Sequence, residues 1–520
     1  MSKRCVSGCK GFSNTDCSGA PRCSYVNGTK RTYCRLSSKY KMGPKPNCSI
    51  KRRKFSKNEA SKKITKYLKD KITKKRRVAK NPEEIIRKFM LKTGNKRRLN
   101  YLKIVCSDSG VCIAFGTNSR KIISFFDGFT NFDNVKSIRQ IGVPSNNGFV
   151  KEIHYEKGGY NAYTVLKSSS RSQGDNLVYE YIVGQFINNE CKFFPCFVET
   201  YGIYYYNDEA SWSHCKDTNV ITPNVLRNSL YIQDNPYDYA KMCQQSKYAA
   251  ILIQHLKNAA TLNSKRDDLF FLENDLLYIL YQVYLPLSQL NKTFTHYDLH
   301  DSNVLLYEPI RGKYITYHYH LHTREVVTFK SPYIAKIIDY GRSFYKPRVS
   351  QSATLITPNK IREKLCAQPE CNTVRAPCGE DFGLSWLKDR GNKEYYITSS
   401  KDNLSHDLRL ITIIKGYLNM YEGVLIDMEP LIEALNKVTY GIGLKKTDKQ
   451  FGTKPEGKIG LPTKINNVYD AEKALRDIIL TNNIFKTNNN DRFLPEDKIG
   501  DIHVYNYISG KPMLFEPYNR

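Results

Sequence analysis

No stretch of 18 or so consecutive apolar residues occurs in this chain, so no membrane-spanning helix is expected. The opening residues Met1-Ser2-Lys3-Arg4-Cys5 are charged but have no apolar run behind them, which excludes the pattern of a secretory signal peptide. A protein of the cytosol or nucleus, or one packed into a particle, is therefore expected rather than a secreted one. No internal repeat is visible. Acidic residues are scarce at one end: residues 1–100 hold 31 Lys/Arg against 5 Asp/Glu, a surplus of 26 within a whole-chain net charge of +31. The other 420 residues are thus nearly balanced. No C-x-x-C pair occurs among 15 cysteines, so the usual zinc-ribbon spacing is missing.

What is present divides the chain. Its 520 residues and 40% hydrophobic content suit a globular protein of two or three domains. Residues 1–50 are Cys-rich, with Cys5, Cys9, Cys17, Cys23, Cys34 and Cys48. These six suit a small zinc site, disulfides in an oxidising compartment, or free thiols. Residues 51–100 are Lys/Arg-rich, densest at 51–54, 74–77 and 96–98. Such a polycation is expected to bind nucleic acid or another polyanion. Two helices are expected there. Ile64, Tyr67, Leu68 and Ile72 share one face of the first. Asn81-Pro82-Glu83-Glu84 reads as the cap and first turn of the second, with Ile85, Ile86, Phe89 and Met90 packing and Gly94 stopping it. Two further clusters carry little weight. Cys366, Cys371 and Cys378 have no diagnostic spacing, and His318, His320 and His322 alternate on one strand face and resemble a metal comb, although hairpin surface histidines alternate in the same way and are the preferred reading.

The chemistry lies in the balanced part. Thr295 to Leu305 reads T-H-Y-D-L-H-D-S-N-V-L, an H-x-D-L-x-x-x-N string. It resembles the kinase catalytic-loop pattern H-R-D-L-x-x-x-N at every fixed position except the Arg, which implies that Asp298 would face a substrate hydroxyl and Asn303 a metal on nucleotide phosphates. Downstream, the apolar run Tyr333 to Ile338 ends in Asp339-Tyr340-Gly341, a strand delivering an acidic residue. Asp381-Phe382-Gly383 spells the D-F-G element letter for letter, but it follows Ala376-Pro377-Cys378-Gly379-Glu380 and has no strand before it, so Asp339 is preferred. Upstream, Ile138 to Ile141 and Phe149 to Tyr155 read as strands around a turn holding Gly142 and Gly148, with Val150 completing G-x-V. The full G-x-G-x-x-G is absent. Tyr163 to Lys167 reads as a strand ending in Lys167, and a helix over 175–189 carries Glu180, with Glu190 as its substitute. Ile251 to Leu256 is a further strand. Ser405 to Leu410 opens a helix through Asp407.

These elements, in this order, resemble the protein-kinase-like superfamily over roughly residues 138–420. The Cys-, Lys- and Asn/Tyr-rich style and the string 336–343 resemble the serine/threonine protein kinases of large DNA viruses. The resemblance implies an α+β, bilobal protein-kinase-like fold, with a β-rich N-lobe at 101–256 and a mainly helical C-lobe at 257–520. The C-lobe would carry a hairpin insertion at 307–333 and a C-terminal helical extension, with helical spacing at 429–438 and 470–482. It implies ATP and Mg²⁺ as cofactors; zinc at the N-terminal cysteines is an expectation from their clustering alone. Asp298 would be the catalytic base. Asn303 and Asp339 would hold the metal, and Lys167 the α/β-phosphates, with Glu180 holding Lys167. Gly142, Gly148 and Val150 would cover the phosphates, and Gln254 to Leu256 would offer backbone bonds to adenine. His296 would brace the loop, and Asp407 would brace its backbone. Protein substrates, and host cytoplasm, nucleus or virion as the location, are implied with them. His300 departs from the pattern, standing where most protein kinases carry a phosphate-contacting Lys, and no A-P-E follows Asp339. Both departures keep one rival open, a small-molecule kinase of the choline or aminoglycoside type; the rival of a different class is an inactive kinase fold used as a nucleic-acid-binding virion scaffold.

Overall fold

The computed structural model describes residues 23–27, 32–36, 116, 119–129, 131–145, 148–169, 177–232, 248–346, 402–421, 423–438 and 464–518. The chain divides into two units, Met1–Asn81 and Pro82–Arg520. The described part of the first is two strands, Cys23–Asn27 and Thr32–Leu36, paired antiparallel. The expected helices of region 51–100, the side chains of the N-terminal cysteines, the 366–378 cysteines and Asp381 lie outside the described residues.

In the second unit a curled, all-antiparallel sheet comes first. It contains β1 (Val135–Ser145), β2 (Gly148–Lys157), β3 (Tyr160–Ser168), β4 (Thr200–Tyr206) and β5 (Ala249–Gln254). The sheet order is Val220–Ile221, β1, β2, β3, β5, β4, Leu230–Tyr231. Alternation in β3 explains its placement. Ala162, Thr164, Leu166 and Ser168 are buried, and Tyr163, Val165 and Lys167 between them are only half-buried. Helix α1 (Leu177–Glu190) crosses from β3 to β4 and buries Leu177, Val178, Val183 and Ile187. Gly184 lets it lie close, since a Cβ there would stand 2.1 Å from Thr200 Oγ1 on β4.

Helices dominate the rest. The nearly all-apolar α2 (Leu276–Gln289) is buried along almost its whole length and forms the centre of this part. Around it lie β6 (Val304–Tyr307), the hairpin β7 (Tyr314–His320) and β8 (Val326–Ser331), β9 (Ile334–Ile337), α3 (Arg409–Leu418) and α4 (Val468–Thr481). β9 is tied to α2 by one buried side chain: Gln282 Oε1 accepts from Ala335 N at 2.9 Å, and Nε2 donates to Tyr333 O at 3.2 Å. The expected helices appear as Glu429–Asn436 and α4. The C-terminal extension is not helical throughout, however. After Asn483–Asp491 come β10 (Lys498–Tyr505) and β11 (Leu514–Pro517), and β10 pairs in parallel with β7 to give a sheet ordered β8-β7-β10-β11. The expected insertion hairpin is therefore half of a larger sheet. No described helix is long and apolar enough to cross a membrane.

Candidate active site

Lys167, near the end of β3, meets two carboxylates. Its Nζ lies 2.7 Å from Glu180 Oε2 on α1 and 3.1 Å from Asp339 Oδ1, which follows β9. Three segments, two of them 172 residues apart in sequence, thus converge on one ammonium. Glu180 is 5% exposed, whereas Lys167 and Asp339 keep 31% and 42% of their side chains open. Asp339 has φ +68°, the left-handed region that Asp tolerates better than most residues. Lys167 beside it holds its carboxyl well down, at about 2. Burial alone would lower the Lys167 pKa, but Asp339 and Glu180 together raise it above its ordinary value.

This has a testable consequence. A carboxyl depressed in the folded state stabilises the fold above its unfolded pKa of about 3.9 and loses that contribution as pH falls toward about 2. The melting-temperature gap between wild type and Asp339→Asn, which suits the same backbone, should be steady above about pH 5 and close on approach to about pH 2. A gap that does not change down to that pH would remove the ion pair from the account.

The 295–303 loop is built from backbone bonds. Asp407, just before α3, accepts His296 N–H through Oδ2 at 2.8 Å and Tyr297 N–H through Oδ1 at 3.0 Å. Those two bonds hold Tyr297 at φ +63°, a conformation uncommon for a bulky residue. Burial raises the Asp407 carboxyl to about 7 against the pull of the two N–H donors. His296 is fully buried. Its Nδ1 lies 3.2 Å from Asp298 N and its Nε2 lies 2.9 Å from Ile338 O, so the neutral ring joins the loop to the strand end before Asp339. Burial lowers its pKa, which suits bracing rather than proton transfer. Asn303 Nδ2 donates to Asp298 O at 2.9 Å, and Asn303 O accepts Ile338 N–H at 3.0 Å. The Tyr340 hydroxyl donates to Ile337 O at 2.7 Å and accepts Val198 N–H at 3.0 Å, so the position expected to hold Phe has a reason to hold Tyr. Tyr179, beside Glu180, donates to Ser343 O at 2.7 Å and ties α1 to the turn after Asp339.

Gly148 sits at φ +112° with Ser168 O only 2.0 Å from where a Cβ would be, so no other residue fits without moving the backbone of β3. Gly142 is exposed at φ +67°. Val150 pairs directly with Lys167 across β2 and β3. The expected adenine edge is narrower than the sequence implied. Gln254 N–H is donated to Glu199 O at 2.8 Å and His255 N–H to Tyr163 O at 3.2 Å, so neither of these two N–H groups is open to a ligand at this strand end.

Two groups were missed as site residues. Arg409 Nη1 stands 2.6 Å from Asp298 Oδ1, and Arg342 Nη1 stands 3.3 Å from Asp298 Oδ2. Both lie inside strings quoted for other reasons, three residues after Asp339 and two after Asp407, and an Arg so placed beside a site acid was the available signal. His300 acts locally, its Nδ1 accepting Ser302 N–H at 3.2 Å to cap the turn Asp301–Asn303.

The histidine comb has ordinary partners. His318 Nε2 lies 2.8 Å from Asp501 Oδ1, and His320 Nε2 lies 3.0 Å from His503 Nδ1. Among the described residues no group of three or more His, Cys, Asp or Glu side chains is arranged to hold a metal. A Mg²⁺ carried on nucleotide phosphates needs only one or two protein oxygens. The Asp339 carboxylate, partly open, and the amide oxygen of Asn303, whose nitrogen is already committed, suit that donor set. No family model matches this chain, and no curated protein matches it.

Proposed function

We propose that the protein transfers the γ-phosphoryl group of ATP to a hydroxyl, most simply that of a Ser or Thr on a protein. The observation that carries this reading is the convergence of Lys167, Glu180 and Asp339 beside a braced loop bearing Asp298 and Asn303. Phosphoryl transfer asks little covalent chemistry of a protein; it asks for positioning and for charge placed in advance. Lys167, fixed by Glu180, would hold the α/β-phosphates. The close approach of Gly148 to β3 would bring backbone amides toward them. Asp339 and Asn303 would hold Mg²⁺, whose charge would offset that of the phosphate oxygens. Asp298 would orient the acceptor hydroxyl and take its proton. The surplus of 26 positive charges in residues 1–100 supports a macromolecular acceptor, because a tethered polycation concentrates an enzyme near polyanions and does nothing for a diffusing metabolite.

The test is a pair of substitutions read by steady-state kinetics with labelled ATP. Lys167→Met should lower ATP-dependent turnover by roughly 10²–10³, the size of one lost preorganised charge, and Glu180→Gln by less. Wild-type activity in Lys167→Met would sink the assignment. Phosphoamino-acid analysis beside a small-molecule panel decides the acceptor. Label confined to metabolites would move the reading to a small-molecule kinase.

A further inference from the structure

Asp298 is held from two sides, and the two contacts are unlike. Arg409 is the first residue of α3, is 4% exposed, and meets Oδ1 at 2.6 Å. Arg342 ends the short turn Tyr340–Arg342 directly after Asp339, and meets Oδ2 at the longer distance of 3.3 Å. The Arg342 and Asp298 side chains are each 11% exposed. Arg409 is thus anchored in the buried first turn of α3, while Arg342 shares a turn with the residue assigned to the metal. The loop's own candidate for a cation near the reacting group, His300, is used in capping. A guanidinium presents a planar fork that suits phosphoryl oxygens as well as it suits a carboxylate.

The reaction supplies a reason for Arg342 to change partner. The acceptor oxygen forms a new bond to the γ-phosphorus, and its proton passes to the Asp298 carboxylate. The bond from the γ-phosphorus to the β–γ bridging oxygen breaks, and its electron pair leaves with ADP. Protonation removes the charge that attracted Arg342, at the step in which charge is spread over the phosphoryl oxygens. We propose that Arg342 is the catalytic cation for the transferring phosphoryl group, exchanging its contact with Asp298 for phosphoryl oxygens while Arg409 keeps Asp298 in place. This rests on the phosphotransfer reading above.

The experiment compares wild type, Arg342→Gln and Arg342→Lys for turnover, KM for ATP, and affinity for Mg-ADP with and without aluminium fluoride, a mimic of the transferring group. For Arg342→Gln the expected result is a fall in kcat of roughly 10²–10³, KM for ATP and affinity for Mg-ADP within a few-fold of wild type, and loss of the tightening that aluminium fluoride confers. Arg342→Lys should recover part of both losses, and should it alone fold, a partial loss of both confirms the same split. Retained tightening in Arg342→Gln, with kcat either kept or lowered, would overturn the proposal, since a residue that only positions Asp298 leaves the mimic's binding alone. Wild type that neither transfers phosphate nor tightens on aluminium fluoride would overturn the phosphotransfer reading itself.

Discussion

Replacing Asp298 by Asn should lower turnover by roughly 10²–10⁴, the usual contribution of a positioned acid or base, and should leave ATP binding close to wild type. The second half of this expectation comes from the surroundings. Arg342 and Arg409 both face Asp298, so neutralising it leaves two guanidinium groups without their shared carboxylate. Removing one negative charge makes the site more favourable to a phosphate-bearing ligand, so the affinity for ATP should hold or rise while chemistry fails. Asn preserves the shape of the site, whereas Ala also opens space and adds a folding cost to the kinetic one. The check is single-turnover transfer measured beside equilibrium nucleotide binding on the same preparation. A variant that loses ATP binding and turnover together would make Asp298 a structural residue and not the base. The companion expectation is that Asp339→Ala abolishes Mg-dependent transfer and Asp381→Ala has a mild effect.

The other large effect is electrostatic. Residues 1–100 should bind nucleic acid with an affinity that falls by about 10³ or more between roughly 50 and 200 mM salt, if about 6–10 phosphates are contacted. The cause is release of counterions condensed on the polyanion, and its size follows the number of Lys and Arg engaged, not the sequence read. A chain beginning at Lys103 should lose this binding and keep transfer to a peptide, because 26 of the 31 net positive charges lie before residue 101. Filter binding or fluorescence anisotropy across a salt series measures the slope. Binding that ignores salt, or that persists in the shortened chain, would refute the role given to this region.

Much of the candidate site could be read from the chain because its chemistry restricts residue type and spacing together. Lys167, Glu180, Asp298, Asn303, Asp339 and Asp407 were each named from a short string; the fold joins Lys167, Glu180 and Asp339 by ion pairs and ties Asp407, Asp298 and Asn303 through the 295–303 loop. Asp339 was separable from Asp381 by the strand before it, and β9 is that strand. Each of Arg342 and Arg409 stands beside a site acid in its own string, but that both contact Asp298 was not readable. A guanidinium serves an acid from whichever element reaches it, and no spacing rule links Arg409 to Asp298, 111 residues earlier. The limits at Gln254 and His255 arise because strand patterns show which side chains face inward but not which N–H groups the sheet has consumed. β10 was missed although Ile499, Ile502 and Val504 are buried among half-buried Asp501, His503 and Tyr505. Its partner strand is remote, and a short alternation after two helices reads as their continuation.

The parallel pairing of β7 with β10 also sets an order of events during synthesis. His320 meets His503, 183 residues further along. At translation speeds of about 5–20 residues per second, that distance is a wait of roughly 10–40 s, during which β7 has β8 on one side and an unfilled hydrogen-bonding edge on the other. An open edge is a template for a neighbouring nascent chain. On this strand the half-buried positions are His318 and His320, not the aliphatic residues that would make an adhesive ribbon. The histidines that look like a metal comb thus read as a guard on a strand that emerges from the ribosome long before its partner.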